Sequence, residues 1–157
     1  DKNFKYKLLI IGDGADMGYF INKTRKLGIE NNCVFLGKVV DTNEKCKYFA
    51  SADLHVFPSF YDTDGIVRIE SATFNLPTLF ADGSVAGSAI IKDVNGFSAK
   101  AEPIAFADEI IRIFNNSSLY QKVRENCYKD IYITFDKLAK IVYEKYMQLI
   151  INTKTEK

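Results

Sequence analysis

Cysteine and histidine are scarce in this chain: three cysteines, Cys33, Cys46 and Cys127, and one histidine, His55. A structural zinc site takes about four ligands, usually in close pairs. No CxxC pair and no Cys/His cluster occurs, which argues against such a site. An odd number of widely spaced thiols also argues against a disulfide-stapled secreted module, and reads as reduced cysteines in a cytoplasmic protein. Charge of either sign is not in excess, since 21 Lys and Arg face 20 Asp and Glu, leaving +1. Such a chain has no global field for nucleic acid or an anionic membrane. Long apolar runs are missing as well, and none nears the roughly 18 to 20 residues that span a bilayer. The amino end, Asp1-Lys2-Asn3-Phe4-Lys5, leads straight into a strand-like run and is not read as a signal peptide.

What is present suits one folded domain. The 157 residues are enough to bury a sizeable core. With 47% hydrophobic and 26% charged residues, the composition excludes a disordered chain or a fibre.

Short apolar runs recur and stop at turn residues. Tyr6-Lys7-Leu8-Leu9-Ile10-Ile11 ends at Gly12-Asp13-Gly14, Val34-Phe35-Leu36 at Gly37, and Leu54-His55-Val56-Phe57 at Pro58. Pro77-Thr78-Leu79-Phe80-Ala81 is a fourth such run. Each reads as a buried strand. Between them lie helical patterns: Asp16 to Leu27, with Gly28 as its C-terminal cap, then Thr42 to Ser51, then Ile66 to Phe74. Beyond Pro103 three more helices are expected, over 104–114, 119–131 and 135–151. Alternating apolar strands and helices predict a Rossmann-like, doubly wound α/β fold: a parallel sheet with helices on both faces and a helical tail. In the last helix Phe135, Leu138, Ala139, Val142, Tyr146, Leu149 and Ile150 form one apolar stripe. It is expected to pack on the domain's own sheet; a partner domain is the alternative.

Open parallel sheets bind ligands at the carboxyl ends of their strands. Three loops fall there: Gly12-Asp13-Gly14, Pro58 to Gly65, and Asp82-Gly83-Ser84. Glycines allow close backbone approach, and a helix start such as Gly65-Ile66-Val67 offers N–H groups to a phosphate. Gly12-x-Gly14 begins a dinucleotide fingerprint but does not complete it. Position 17 is Met17, Gly18 comes one place late, and Leu36 is followed by Gly37 and Lys38 rather than an acid. Asp62-Thr63-Asp64 could hold a divalent ion. Acids just before a helix start are also favoured electrostatically as solvated or capping groups.

The segment from Ala52-Asp53-Leu54-His55-Val56-Phe57-Pro58-Ser59 through Asp62, Gly65 and Glu70 to Asn75-Leu76-Pro77 resembles the signature of group 1 (family 4) glycosyltransferases. Leu8-Leu9-Ile10-Ile11-Gly12-Asp13-Gly14, Leu27-Gly28-Ile29, Val34-Phe35-Leu36-Gly37 and Val94-Asn95-Gly96-Phe97 follow the family's order and spacing. The resemblance covers about Lys7 to Phe97.

It implies a GT-B enzyme, in which two Rossmann-like domains face across a cleft. The chain (1–157) looks like the carboxyl-terminal domain, which binds a nucleoside-diphosphate sugar, UDP- or GDP-linked. The acceptor, a glycan or lipid-linked molecule, would be held by an amino-terminal domain absent here. The family retains anomeric configuration without a divalent metal or other cofactor, and often serves polysaccharide or glycolipid assembly. A cytoplasmic enzyme, peripherally membrane-associated at full length, is expected.

By resemblance Glu70 accepts hydrogen bonds from both ribose hydroxyls, for which a carboxylate offers two oxygens. Asp62 faces the donor sugar. Backbone N–H groups of Asp64, Gly65, Ile66 and Val67 take phosphate or sugar oxygens, and Gly12 and Gly14 leave room for the donor. The family's diphosphate-neutralising Arg and Lys lie upstream of this chain, so the isolated chain is expected to bind weakly and not to turn over. Two positions depart from the pattern. Asp62 stands where the family has Glu, one methylene longer. Asn75 stands where it has a turn glycine, and Asn is the next best residue for a left-handed backbone. A non-catalytic nucleotide-binding or interaction module of the same fold, or a sugar-nucleotide epimerase, are the alternative functions.

Overall fold

The structure is a computed structural model that describes residues 4–62 and 65–155. The chain forms two compact units, Asp1–Ala52 and Asp53–Lys157. Both are α/β, and every strand pair is parallel.

In the first unit β1 (Leu8–Ile11) pairs with β2 (Cys33–Gly37). Helix α1 (Met17–Lys26) and a short 3-10 turn (Glu30–Asn32) connect them, and α2 (Thr42–Ser51) follows. The ends of α1 and α2 have local causes. Gly28 takes φ +66 and donates to the Arg25 carbonyl, while Ile29 N–H donates to that of Thr24. That pair of bonds is a Schellman ending, which needs a left-handed residue where Gly28 stands. Asp41 Oδ1 accepts the Glu44 N–H at 2.8 Å and starts α2. The apolar faces of this unit are not sealed. Leu8, Leu9 and Ile11 of β1 are exposed, no residue of α1 is buried, and Phe49 of α2 is.

In the second unit the strand order is β3 (His55–Phe57), β4 (Thr78–Ala81), β5 (Phe97–Ala99). The register pairs His55 with Thr78 and Leu79 with Phe97. Helix α3 (Ile66–Ala72) links β3 to β4. The sheet is followed by α4 (Pro103–Asn115), α5 (Ser117–Ile131) and α6 (Phe135–Thr155). The core gathers Leu79, Ala81 and Phe97 from the sheet with Phe106 and Ile113 of α4 and Val123 of α5. Each large side chain fully buried there contributes about 1.5–3 kcal/mol. Every residue of central β4 is buried, as a continuous apolar run requires.

Strand β5 was not foreseen. It is three residues long with Ser98 in the middle, and no helix precedes it. The segment from Asp82 to Gly96 descends instead through successive turns. Asn95 closes the last one, its Oδ1 accepting the Ile91 N–H at 2.7 Å, and Asn126 of α5 ties down the Val94 carbonyl. Asp93, in a left-handed conformation, and Glu109 of α4 are both bound by Arg112. These acids hold the Arg112 pKa above its ordinary value. The three cysteines are free thiols, and burial pushes Cys127 up to about 11, which makes it a poor nucleophile.

Helix α6 corrects an expectation. Its stripe does not pack on the sheet: Phe135 is 90% exposed, and Leu138, Val142, Tyr146, Leu149 and Ile150 are exposed too. Among the described residues, no helix is long and apolar enough to cross a membrane.

The end of α3 bears out the reading of Asn75. This residue has φ +52, its N–H donates to the Ala72 carbonyl, and Leu76 N–H donates to that of Ser71. Asn75→Ala is therefore expected to cost about 1 kcal/mol of stability, and Asn75→Gly nothing. Urea unfolding of the two variants side by side tests this; equal midpoints would remove the conformational explanation.

Candidate functional site

Because β3, β4 and β5 are parallel, their carboxyl ends share one edge of the second unit. Pro58, Asp82 and Lys100 leave the sheet there. Two of the three loops expected at strand ends, Pro58 to Gly65 and Asp82-Gly83-Ser84, meet at this edge. A Cβ placed on Gly83 would lie 3.9 Å from the Phe60 ring, and one on Gly65 would lie 2.8 Å from the Ala86 Cβ. The third loop, Gly12-Asp13-Gly14, belongs to the first unit. There Gly12 N–H extends the β1–β2 ladder to the Gly37 carbonyl, and among the described residues nothing lies within 4 Å of where a Cβ would stand on Gly12 or Gly14.

The approach to α3 is set by Asp62 and Gly65. Asp62 Oδ1 accepts the Gly65 N–H at 3.1 Å, so the first acid of the spaced pair caps the turn. Gly65 then takes φ +60 and starts the helix. Ile66 is exposed and Val67 half-buried. The first N–H groups of a helix have no intrahelical acceptor; that of Arg68 is taken by the Gly65 carbonyl at 2.7 Å. Asp64, with Thr63, lies outside the described residues, so the Asp62-Thr63-Asp64 pair stays an expectation from sequence.

Glu70 is half-buried one turn into α3. Its charge reaches His55 of β3, where it raises the imidazole pKa against a larger opposing effect of burial. Burial wins, and His55 is lowered to about 4, neutral at pH 7. Its Nδ1 lies 3.1 Å from Thr78 Oγ1, and Thr78 Oγ1 lies 2.9 Å from Ser71 Oγ. His55 is thus a packed structural histidine, as its place inside a strand suggested.

Arg68, two residues before Glu70, would be expected to stand exposed on the helix, and the structure corrects this. Arg68 is half-buried, its Nη1 donates to the Ala86 carbonyl at 3.1 Å, and its buried Nε has no hydrogen-bond partner among the described residues. The guanidinium pins the loop after β4 to the start of α3. Nothing in the local pattern signalled Ala86, which comes close only because two separate loops share an edge. An open hollow of about 230 Å³ lies beside them, lined in part by Asp82, Gly83, Ser84, Ser88 and Lys92. Lys92 is already engaged, with Nζ 2.6 Å from the Ser98 carbonyl and 3.6 Å from Glu109.

Comparison with known proteins gives the family and the fold. Residues 1–130 match the family of glycosyl transferases group 1. An uncharacterized glycosyltransferase of Methanocaldococcus jannaschii is 29% identical over 143 residues, covering 89% of this chain and 36% of that protein. The C-terminal domain of a group 1 family glycosyl transferase (LpcC) from Francisella tularensis superposes with a TM-score of 0.71 at 20% identity. That match covers 83% of this chain and 70% of the other. Anabaena HepE, solved in complex with UDP-glucose, gives a TM-score of 0.70 at 22% identity over 78% of this chain and 35% of its own. At these identities the structural likeness establishes the fold, an α/β fold of the GT-B glycosyltransferases. The chain belongs to the group 1 glycosyltransferases. It spans about a third of the length of the first curated relatives it matches.

Proposed function

We propose that this chain is the carboxyl-terminal, donor-binding domain of a retaining hexosyltransferase. It would take a UDP- or GDP-linked sugar and pass the sugar to a glycan or lipid-linked acceptor, in the cytoplasm, in polysaccharide or glycolipid assembly. The acceptor would be held by an amino-terminal domain. Transfer breaks the bond between the anomeric carbon and the diphosphate oxygen and forms one to an acceptor oxygen. The chemistry needed is positioning and stabilisation of charge on the leaving diphosphate.

The observation that carries the reading is the spaced acid pair at the edge of the second unit. Asp62 organises the turn and Glu70 stands half-buried on the helix that follows. Glu70 would accept both ribose hydroxyls, the N–H groups of Ile66 and Val67 would meet phosphate or sugar oxygens, and Asp62 would face the sugar; the Gly65 N–H, expected from sequence to join them, is instead taken by Asp62. HepE with UDP-glucose gives the nucleotide-sugar class its support from outside this chain.

Titration with UDP and GDP tests the reading. Glu70→Ala is expected to weaken binding about tenfold to a hundredfold, the worth of hydrogen bonds to a charged group. Unchanged affinity in that variant sinks the ribose assignment. One observation favours a second reading, a non-catalytic nucleotide-binding module. The shortened acid, Asp62, is engaged as a cap through Oδ1. Absence of transfer by the full-length protein, with nucleotide binding intact, would select it.

A further inference from the structure

We propose that His55, Thr78 and Ser71 form a positioning chain for Glu70, locking the turn of α3 that carries the carboxylate onto strands β3 and β4. The inference rests on the reading of Glu70 as the ribose ligand.

Three side chains from three elements make the link. His55 and Thr78 are register partners on neighbouring parallel strands. Ser71 is 0% exposed and Thr78 4%, so water does not compete for their hydroxyls. Ser71 Oγ also lies 3.0 Å from the Arg68 carbonyl. A carbonyl only accepts, so Ser71 donates its one hydrogen there. Thr78 must then donate to Ser71, and His55 must donate from Nδ1 to Thr78. Only this arrangement makes all three bonds at once. It fixes the neutral Nδ1–H tautomer of His55, whose imidazole burial keeps uncharged at pH 7.

Ser71 directly follows Glu70. Successive helix residues are rotated by about 100°, so holding Ser71 against the sheet fixes the direction in which Glu70 leaves the helix. A carboxylate that takes two vicinal hydroxyls must be held to within about 0.5 Å. Apolar contact is non-directional and does not by itself fix the rotation of a short helix. A buried hydroxyl pair does, because turning the helix leaves both groups unsatisfied. None of the three side chains needs to touch the nucleotide; they act through Glu70.

The test compares a ribonucleotide with its 2′-deoxy and 3′-deoxy analogues, using UDP or GDP, whichever binds tighter. The chain itself is expected to prefer the ribonucleotide about tenfold, one charged hydrogen bond's worth. Thr78→Val should reduce that preference to about twofold, and Thr78→Ser should restore it. Ser71→Ala cuts the chain at its other end and should act like Thr78→Val, which covers a failure of the valine variant to fold. If both variants keep the full preference, or lose affinity equally for all three ligands, the positioning role is overturned while the role of Glu70 stands. If the unmodified chain shows no ribose preference, or Glu70→Ala keeps it, the reading of Glu70 fails and this proposal with it.

Discussion

Gly65→Ala is expected to lower the unfolding free energy by about 2–5 kcal/mol, while Gly83→Ala costs about 1. The two glycines sit in the same unit with similar backbones, φ +60 and +76. Both replacements therefore incur the left-handed penalty, roughly 1–2 kcal/mol, partly offset by a stiffer unfolded chain. Space separates them. At Gly83 the nearest atom to the new methyl is 3.9 Å away, an ordinary contact. At Gly65 it meets the Ala86 Cβ at 2.8 Å and the Ala86 Cα at 3.1 Å. A backbone atom cannot swing aside, so one of the two loops must move. Moving either one strains the Asp62–Gly65 bond or the Arg68–Ala86 bond. The variant should lose nucleotide affinity as well as stability. Urea unfolding followed by circular dichroism measures the first effect, and coincident midpoints for the two variants would refute the steric account.

The same geometry shows which parts of the protein were legible in the sequence. The Asn75 backbone was legible because a left-handed helix ending is a local event, decided by the residue that must adopt it. Central β4 was legible because a strand covered on both faces writes a continuous apolar run. The run Leu8-Leu9-Ile10-Ile11 carries the same signal, yet Leu8, Leu9 and Ile11 are exposed. Composition states that a segment favours burial and not what buries it. The stripe of α6 repeats that lesson at helical period. Strand β5 failed for a different reason. Phe97, Ser98 and Ala99 are too few to establish a period, and turns rather than a helix lead into them. At the site, the spacing of Asp62, Gly65 and Glu70 was visible because it lies within one stretch of chain. The contacts of Arg68 with Ala86 and of Thr78 with His55 join residues far apart in sequence; the first meet where two loops share an edge, the second through the strand register.

Acidification should destabilise the protein through His55 by about 3 kcal/mol between pH 7 and pH 4. Its folded pKa is lowered to about 4 from the ordinary 6.5, first by burial, with the Glu70 charge opposing. The folded chain therefore refuses a proton that the unfolded chain accepts. Stability from this residue is complete above pH 6.5 and falls away as the pH drops toward 4, by about 1.4 kcal/mol per unit. Carboxylates titrate over the lower part of the same range, so the wild-type curve alone does not isolate the histidine. The comparison with His55→Gln does, because glutamine keeps a donor for Thr78 and does not titrate. Above pH 7 the two proteins should differ by the packing change alone. Toward pH 4 the wild type should lose about 3 kcal/mol more than the variant, and parallel curves would show that His55 is not buried neutral. Glu70→Gln moves the result the other way. Without the carboxylate charge the folded pKa falls further, so the loss of stability through His55 should continue to lower pH in the variant than in the wild type, at the same slope and to a larger total. That extension reports the electrostatic coupling between Glu70 and His55 without any nucleotide present. It therefore tests the geometry of the site independently of what the site binds.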